Sequence, residues 1–276
     1  MANYLHKDDI VKLIFTFMAM LRVKLLLIFC VSFLYNGISQ QTSVQDLERD
    51  LVSSYQKIAD LSIQSDMDSL FLFNERFNET LWNGLSQNDS TLTYTFADLK
   101  AAGVYVCSSE DKKFRIYSWD TYTGGTMHFF NYLYQYSDGA NVYTYRVSIE
   151  EGHPARFFSK IFTFVNGGYT YYFGIGNAIL STSEVTQSIH TFQIDGDELF
   201  DDVRIIKTGS GLKNSISVPF NFFSVVDRPE RPVELIKFDH KKKTIYIPLV
   251  KEDGTVTEKY IYYKFDGNYF VKSKME

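Results

Sequence analysis

The hydrophobic period of this chain changes once, near Ser90, and no helical pattern returns after it. Between residues 43 and 85, Val44, Leu47, Leu51, Tyr55, Ile58 and Leu61 recur three or four positions apart, with Asp46, Glu48, Arg49, Asp50 and Lys57 between them. That spacing puts the apolar side chains on one face of an α-helix. Ser43 stands where a helix cap is needed, with Asp46 three residues on. A second amphipathic run follows Ser65-Asp66 and carries Met67, Leu70, Phe71, Phe77 and Leu81. The two runs predict antiparallel helices, or one helix broken near residues 62–65. Ser86-Gln87-Asn88-Asp89-Ser90 is a polar linker.

From Thr91 apolar residues alternate with polar ones. Strands are predicted near 91–96, 103–107, 113–119, 126–136, 141–150, 156–165, 168–175, 186–194, 199–207, 214–225, 233–239, 243–250, 255–265 and 268–272. Asn166-Gly167, Asp195-Gly196 and Asp266-Gly267 are dipeptides favoured in tight hairpin turns. Parallel neighbours need a crossover, usually helical, and no helix is available here, so successive strands are expected to pair antiparallel. The fold class expected is α+β, mainly β: a helical N-terminal segment followed by a large antiparallel β meander, closed as a sandwich or a half-open barrel. No internal repeat supports a propeller. The segments are 1–39 as a leader, 40–90 as helices and linker, and 91–276 as the β domain.

The leader is read from its own pattern. Arg22 and Lys24 precede an apolar run from Leu25 to Tyr35, followed by the small-residue junction Asn36-Gly37-Ile38-Ser39. A spanning helix needs about 20 apolar residues and a signal core about 7–15, so this run fits a secretory signal peptide cut after Ser39. Export to the periplasm, cell surface or medium is expected. The alternative is an uncleaved N-terminal anchor, in which case the chain meets a membrane through that segment alone.

The net charge of −5 over 276 residues, with no long basic tract, argues against a nucleic-acid partner. Of the two cysteines, Cys30 lies in the leader core and Cys107 in a predicted strand, so no internal disulfide is expected and Cys107 reads as a core thiol. The histidines show no metal-ligand spacing, and no cofactor is expected. Aromatic residues make up 17%, mostly 24 Phe and 20 Tyr. Such content serves either a β core or an exposed platform for flat ligands such as sugar rings.

Residues 109–136 hold the candidate site. In the predicted strand 126–136, His128, Phe130, Tyr132 and Tyr134 share one face, with Arg115, Trp119 and Asp120 shortly before them. Gly124-Gly125 allows a close backbone approach. The seven named side chains would form a binding platform with polar hands. The turn at Ser109-Glu110-Asp111 resembles those of aspartate-box and TolB-like propellers, departing at Lys113, where those turns carry Gly. The whole block, with the closing Tyr263-Lys264-Phe265-Asp266-Gly267-Asn268-Tyr269-Phe270, resembles uncharacterised exported proteins of Bacteroidota-type bacteria. That resemblance implies export and no particular activity. The expected role is non-enzymatic binding of a glycan or protein at the cell envelope. Two alternatives are a secreted hydrolase of glycan or peptide centred on His128 and Asp120, and a structural subunit docking through its N-terminal helices.

Overall fold

The computed structural model describes residues 43–64 and 66–274; the expected leader lies outside them. The fold is α+β and mainly β, with helices first and no closed barrel.

Two helices open the described chain, α1 (Val44–Gln64) and α2 (Met67–Gln87). Ser43 caps α1: its hydroxyl accepts the Asp46 N–H at 3.1 Å and donates to the Asp46 carboxylate at 2.6 Å. Asp66 caps α2 by accepting the Ser69 N–H. A Cβ on Gly84 would lie 2.5 Å from both Leu47 methyls. The end of α2 therefore lies against the start of α1, the antiparallel pair expected, and a residue without a side chain lets them approach.

No strand forms at 91–96. The chain makes a 3₁₀ turn at Asp89–Leu92 and a short helix, α3 (Ala97–Ala101), reached through Phe96 at φ 48°. The cause is a pair of buried charged side chains. Arg115 donates to the Thr91 and Tyr94 carbonyls, each at 2.6 Å, the groups a sheet ladder would have used. Glu48 of α1 accepts the Asp98 and Leu99 N–H groups at 2.9 and 3.1 Å, satisfying the start of α3.

Three sheets follow. Sheet 1 is a meander of β1 (Tyr105–Ser108), β2 (Phe114–Asp120), β3 (Phe130–Ser137) and β4 (Val142–Arg146). Sheet 2 holds β5 (Phe157–Asn166), β6 (Tyr169–Ile179), β7 (Glu184–Asp195) and β8 (Glu198–Phe200). The chain then crosses into sheet 3 for β9 (Ile206–Thr208) and β10 (Gly211–Lys213). It returns to sheet 2 as β11 (Ser215–Asn221), paired with β7. It finishes sheet 3 with β12 (Lys237–Asp239), β13 (Thr244–Val250), β14 (Val256–Phe265) and β15 (Phe270–Ser273). The strand order in sheet 3 is β10-β9-β15-β14-β13-β12.

Within that fold class the strands are dealt among the three sheets in a way local alternation does not report: sheets 2 and 3 exchange strands. One pair is parallel, β9 with β15, in register at Phe270–Ile206 and Val271–Lys207. The crossover between those two strands is made of other strands rather than a helix. Two of the tight turns also shift by one residue, and the third, at Asp266-Gly267, is a four-residue loop between Phe265 and Phe270. Asn166 pairs with Tyr169, so Gly167 and Gly168, at φ 60° and 86°, are the two central residues of that hairpin.

The layers stack as helices, sheet 1, sheet 2 and sheet 3. Leu51, Tyr55, Phe77 and Leu81 of the helices meet Tyr117, Trp119 and Leu133 of sheet 1. The other face of sheet 1 carries Phe114, Ile116, Tyr134 and Tyr136, which meet Phe158, Tyr172 and Phe192 of sheet 2. Phe164, Phe173 and Ile189 on the far side of sheet 2 meet Phe238, Ile245 and Phe270 of sheet 3. Full burial of each such ring contributes roughly 1.5–3 kcal/mol, so most of the aromatic content is spent between layers. Among the described residues no helix is long and apolar enough to cross a membrane.

Candidate functional site

The site is built where β2 ends and the chain must return to β3. Asp120 closes β2, and its Oδ1 accepts the Tyr122 N–H at 2.8 Å, which folds the chain back at Tyr122, φ 55°. Thr121 then binds Phe129 twice, the backbone N–H at 2.8 Å and the hydroxyl at 2.9 Å both donating to its carbonyl. Gly124 is needed at the tip, because a Cβ there would lie 1.9 Å from the Met127 carbonyl oxygen. The loop is fastened to sheet 2 by the His128 N–H, which donates to Ile179 O at 3.0 Å. These contacts bring the His128 ring onto Asp120, with Nδ1 hydrogen-bonded to Oδ2. The carboxylate occupies Nδ1 and leaves Nε2 as the nitrogen a ligand can use.

His128 stands on the wall of a cavity of about 470 Å³ at the end of sheets 1 and 2. Tyr105 and Phe157 line it as a stacked pair with ring centroids 4.0 Å apart, joined by Ile179, Val185, Phe222 and Val233. Polar groups are few: His128, Asn177, Ser181, Thr182, Thr126 and Arg231. Arg231 lies 5.5 Å over the Phe222 ring and donates to the carbonyls of Val226, Arg228 and Glu230, which fixes its positive charge. Apolar walls with a few fixed polar groups are the usual make-up of a small-molecule pocket.

The Val233 side of the pocket is held by one buried amide. Gln187 of β7 donates to Asn177 Oδ1 at 2.9 Å and to Val233 O at 2.7 Å. Its Oε1 accepts the Leu235 and Ile236 N–H groups at 2.9 and 2.8 Å. The segment before β12 is irregular, and this side chain stands in for the ladder it lacks.

Nucleophilic chemistry finds little support in the arrangement. Asp120 is the hydrogen-bond partner of the His128 ring, and no hydroxyl or thiol among the described residues bonds to it. Ser188 Oγ does lie 2.8 Å from His190 Nε2. Arg156 Nη1 hydrogen-bonds to the same nitrogen, so His190 is not free to take the serine proton. Burial, with the Arg156 charge beside it, pushes the His190 imidazole down to about 3. Burial pushes the Cys107 thiol up to about 12, so it stays protonated at neutral pH. Among the described residues no group of three or more His, Cys, Asp or Glu is arranged to hold a metal ion.

The seven residues of the expected platform divide three ways. His128 and Asp120 meet at the pocket. Phe130, Tyr132 and Tyr134 do share a face, but it is the inner one: Phe130 and Tyr134 are each 3% exposed, and Tyr132 is half-buried against Phe158. Arg115 and Trp119 fall on the opposite side of sheet 1, beneath the helices, at 5% and 0% exposure. A flat aromatic platform at the surface is therefore replaced by an interlayer core. The strand itself begins at Phe130, since residues 126–129 belong to the loop that aims His128. The Ser109–Asp111 turn serves packing: the Ser109 hydroxyl accepts the Phe114 N–H and donates to Asp111, whose other oxygen accepts the Tyr172 hydroxyl at 2.9 Å. Tyr105, Phe157, Asn177, Phe222 and Arg231 come from five separate stretches, and no local pattern in the sequence joins them. Comparison of the chain with protein-family models, with curated proteins and with solved structures gave no match.

Proposed function

We propose that this chain is an exported, non-enzymatic binding module whose pocket beside His128 takes a small ligand with an apolar body and an anionic or hydrogen-bonding end. The observation that carries the reading is the cavity of about 470 Å³, walled by Tyr105, Phe157 and Phe222 and bearing His128 and Arg231. The apolar body of a ligand lies on the rings. Its acceptor group meets the guanidinium and the open imidazole nitrogen. Export rests on the leader pattern at Arg22–Ser39.

The test uses 8-anilinonaphthalene-1-sulfonate, an aromatic body with one anionic group, titrated calorimetrically. The reading expects one site on the native chain, lost in Thr182→Trp, which fills the cavity from an exposed position, and weakened about tenfold in His128→Ala. Binding unchanged in Thr182→Trp sinks it. The Asp120–His128 contact favours one other reading, a hydrolase in which His128 acts as a base on water. Turnover of a glycan or peptide panel, abolished by His128→Ala and by Asp120→Asn with folding intact, would install that reading instead.

A further inference from the structure

Sheet 3 has one covered face, against sheet 2, and one open face. The register of its strands shows what the open face carries. Lys237, Tyr246, Tyr262 and Ser273 are directly paired across β12, β13, β14 and β15 and so share a side. A second row on the same side runs through Asp239, Thr244, Lys264, Val271 and Lys207. The β12–β13 turn adds Lys241 and Lys242, and the end of β15 adds Lys274. Residues of this set enclose a groove of about 510 Å³ lined by Lys241, Lys242, Tyr246, Tyr262, Lys264 and Lys274.

A solvated sheet face is normally polar, with both signs mixed. This one is strongly one-sided. Six lysines stand on it or on its rim, against Asp239, Glu258 and Asp266, the last close enough to Lys207 to feel its charge, on a chain whose net charge is −5. It also holds three tyrosines in contact. The Tyr246 ring lies edge-on to Tyr260 and Tyr262, with centroids 6.0 and 5.1 Å away, and Lys237 Nζ sits 5.8 Å over Tyr260. The three consecutive lysines at 241–243 look in sequence like a hairpin tip; folding gathers two of them with four others from separate strands.

We infer that the open face of sheet 3 binds an anionic polysaccharide, with uronate or sulfate groups on the lysines and sugar rings against the tyrosines. The cations are all lysines, mobile point charges suited to anionic groups spaced along a flexible polymer rather than to one group held in a bidentate fork. Tyrosine hydroxyls and ring edges suit sugar hydroxyls and C–H faces. The edge-on packing of the rings breaks up the flat stacking surface that nucleobases require.

The experiment is retention of the full chain on immobilised polygalacturonate, with dextran as the neutral control, eluted between about 50 and 200 mM salt. Retention on polygalacturonate and none on dextran is expected. Lys242→Glu with Lys274→Glu should weaken binding at least about tenfold and lower the salt slope by about one per lysine removed. Lys57→Glu, an equal charge reversal per site on exposed α1, should leave binding unchanged, which separates the face from net charge. Tyr246→Thr should weaken binding with the salt slope unchanged. Failure to bind at low salt overturns the inference, as does equal loss in Lys57→Glu. Tighter binding to oligo(dT) or to phosphatidylglycerol vesicles than to polygalacturonate overturns it in favour of a nucleic acid or a lipid surface.

Discussion

Replacing Gln187 by leucine should unlock the segment that walls the pocket, at a cost that follows from its hydrogen bonds. Gln187 has no exposed surface, and every polar capacity of its amide toward this segment is in use. Leucine is close enough in size that no large cavity opens. It leaves the Leu235 and Ile236 N–H groups and the Val233 carbonyl without partners, on residues that are 0%, 2% and 6% exposed. Asn177 keeps its Nδ2 donation to Ser159 at 3.0 Å, but its Oδ1 also loses the Gln187 donor. An orphaned buried group costs about 1–3 kcal/mol, and partial relaxation brings the sum for the four to about 3–5 kcal/mol. With total stability of about 5–15 kcal/mol for a domain, that is a large share. In urea, at about 3 kcal/mol per molar, the midpoint should fall by about 1–2 M with the slope unchanged. Amide exchange at Leu235 and Ile236 should accelerate in the same variant while the β5–β6 core stays protected. A midpoint shift under about 0.3 M, or unaltered exchange at those two amides, would refute the reasoning. Gln187→Glu should be worse than leucine, because a carboxylate then faces two acceptors, Val233 O and Asn177 Oδ1.

Other expectations follow from the same geometry. Trp119→Ala should cost about 3–5 kcal/mol; Trp119→Phe should cost much less, since it also removes an indole N–H with no partner among the described residues. Neither change should alter probe binding in material that remains folded, as calorimetry can show. His190 is held below its ordinary value, chiefly by burial, to about 3. Between pH 6.5 and about 3 the unfolded chain therefore takes up a proton the folded chain does not. Stability should fall as pH drops through that window, by up to about 1.4 kcal/mol per pH unit, with no contribution above it. Urea titrations of the native chain and of His190→Gln should differ in slope there and run parallel above pH 7; parallel curves throughout would contradict the assignment. Burial of the Cys107 thiol predicts that iodoacetamide labels the Cys107 peptide slowly in native protein at pH 8 and readily in urea, as read by peptide mass spectrometry.

What could be read from the sequence was local. The helix pair followed from a 3.6-residue period and the Ser43 cap, because both act within one turn. The strands of β2, β5 to β7, β13 and β14 followed from alternation. The failures were of another kind. The segment 91–96 alternates like a strand, yet its carbonyls are claimed by Arg115 from 21 and 24 residues further on. The pairing of β15 with β9 joins positions such as Phe270 and Ile206, and no turn chemistry reports it. Alternation put Phe130, Tyr132 and Tyr134 on one side correctly; it could not say whether that side met water or a second sheet. Asp120 and His128 are legible together because the loop that joins them is short, whereas Arg231, from the irregular segment before β12, and Phe157, from β5, reach the same pocket from distant parts of the chain.

The proposed role requires that the pocket beside His128 hold a small molecule. The most direct measurement is native mass spectrometry of the chain purified from its own host without denaturation, alongside Thr182→Trp. One bound species of small mass is expected on the native chain, released on denaturation, containing an apolar body and an anionic or acceptor group, and absent from the tryptophan variant. A species carried equally by both proteins, or a native chain that is empty and also fails to bind 8-anilinonaphthalene-1-sulfonate, would contradict it.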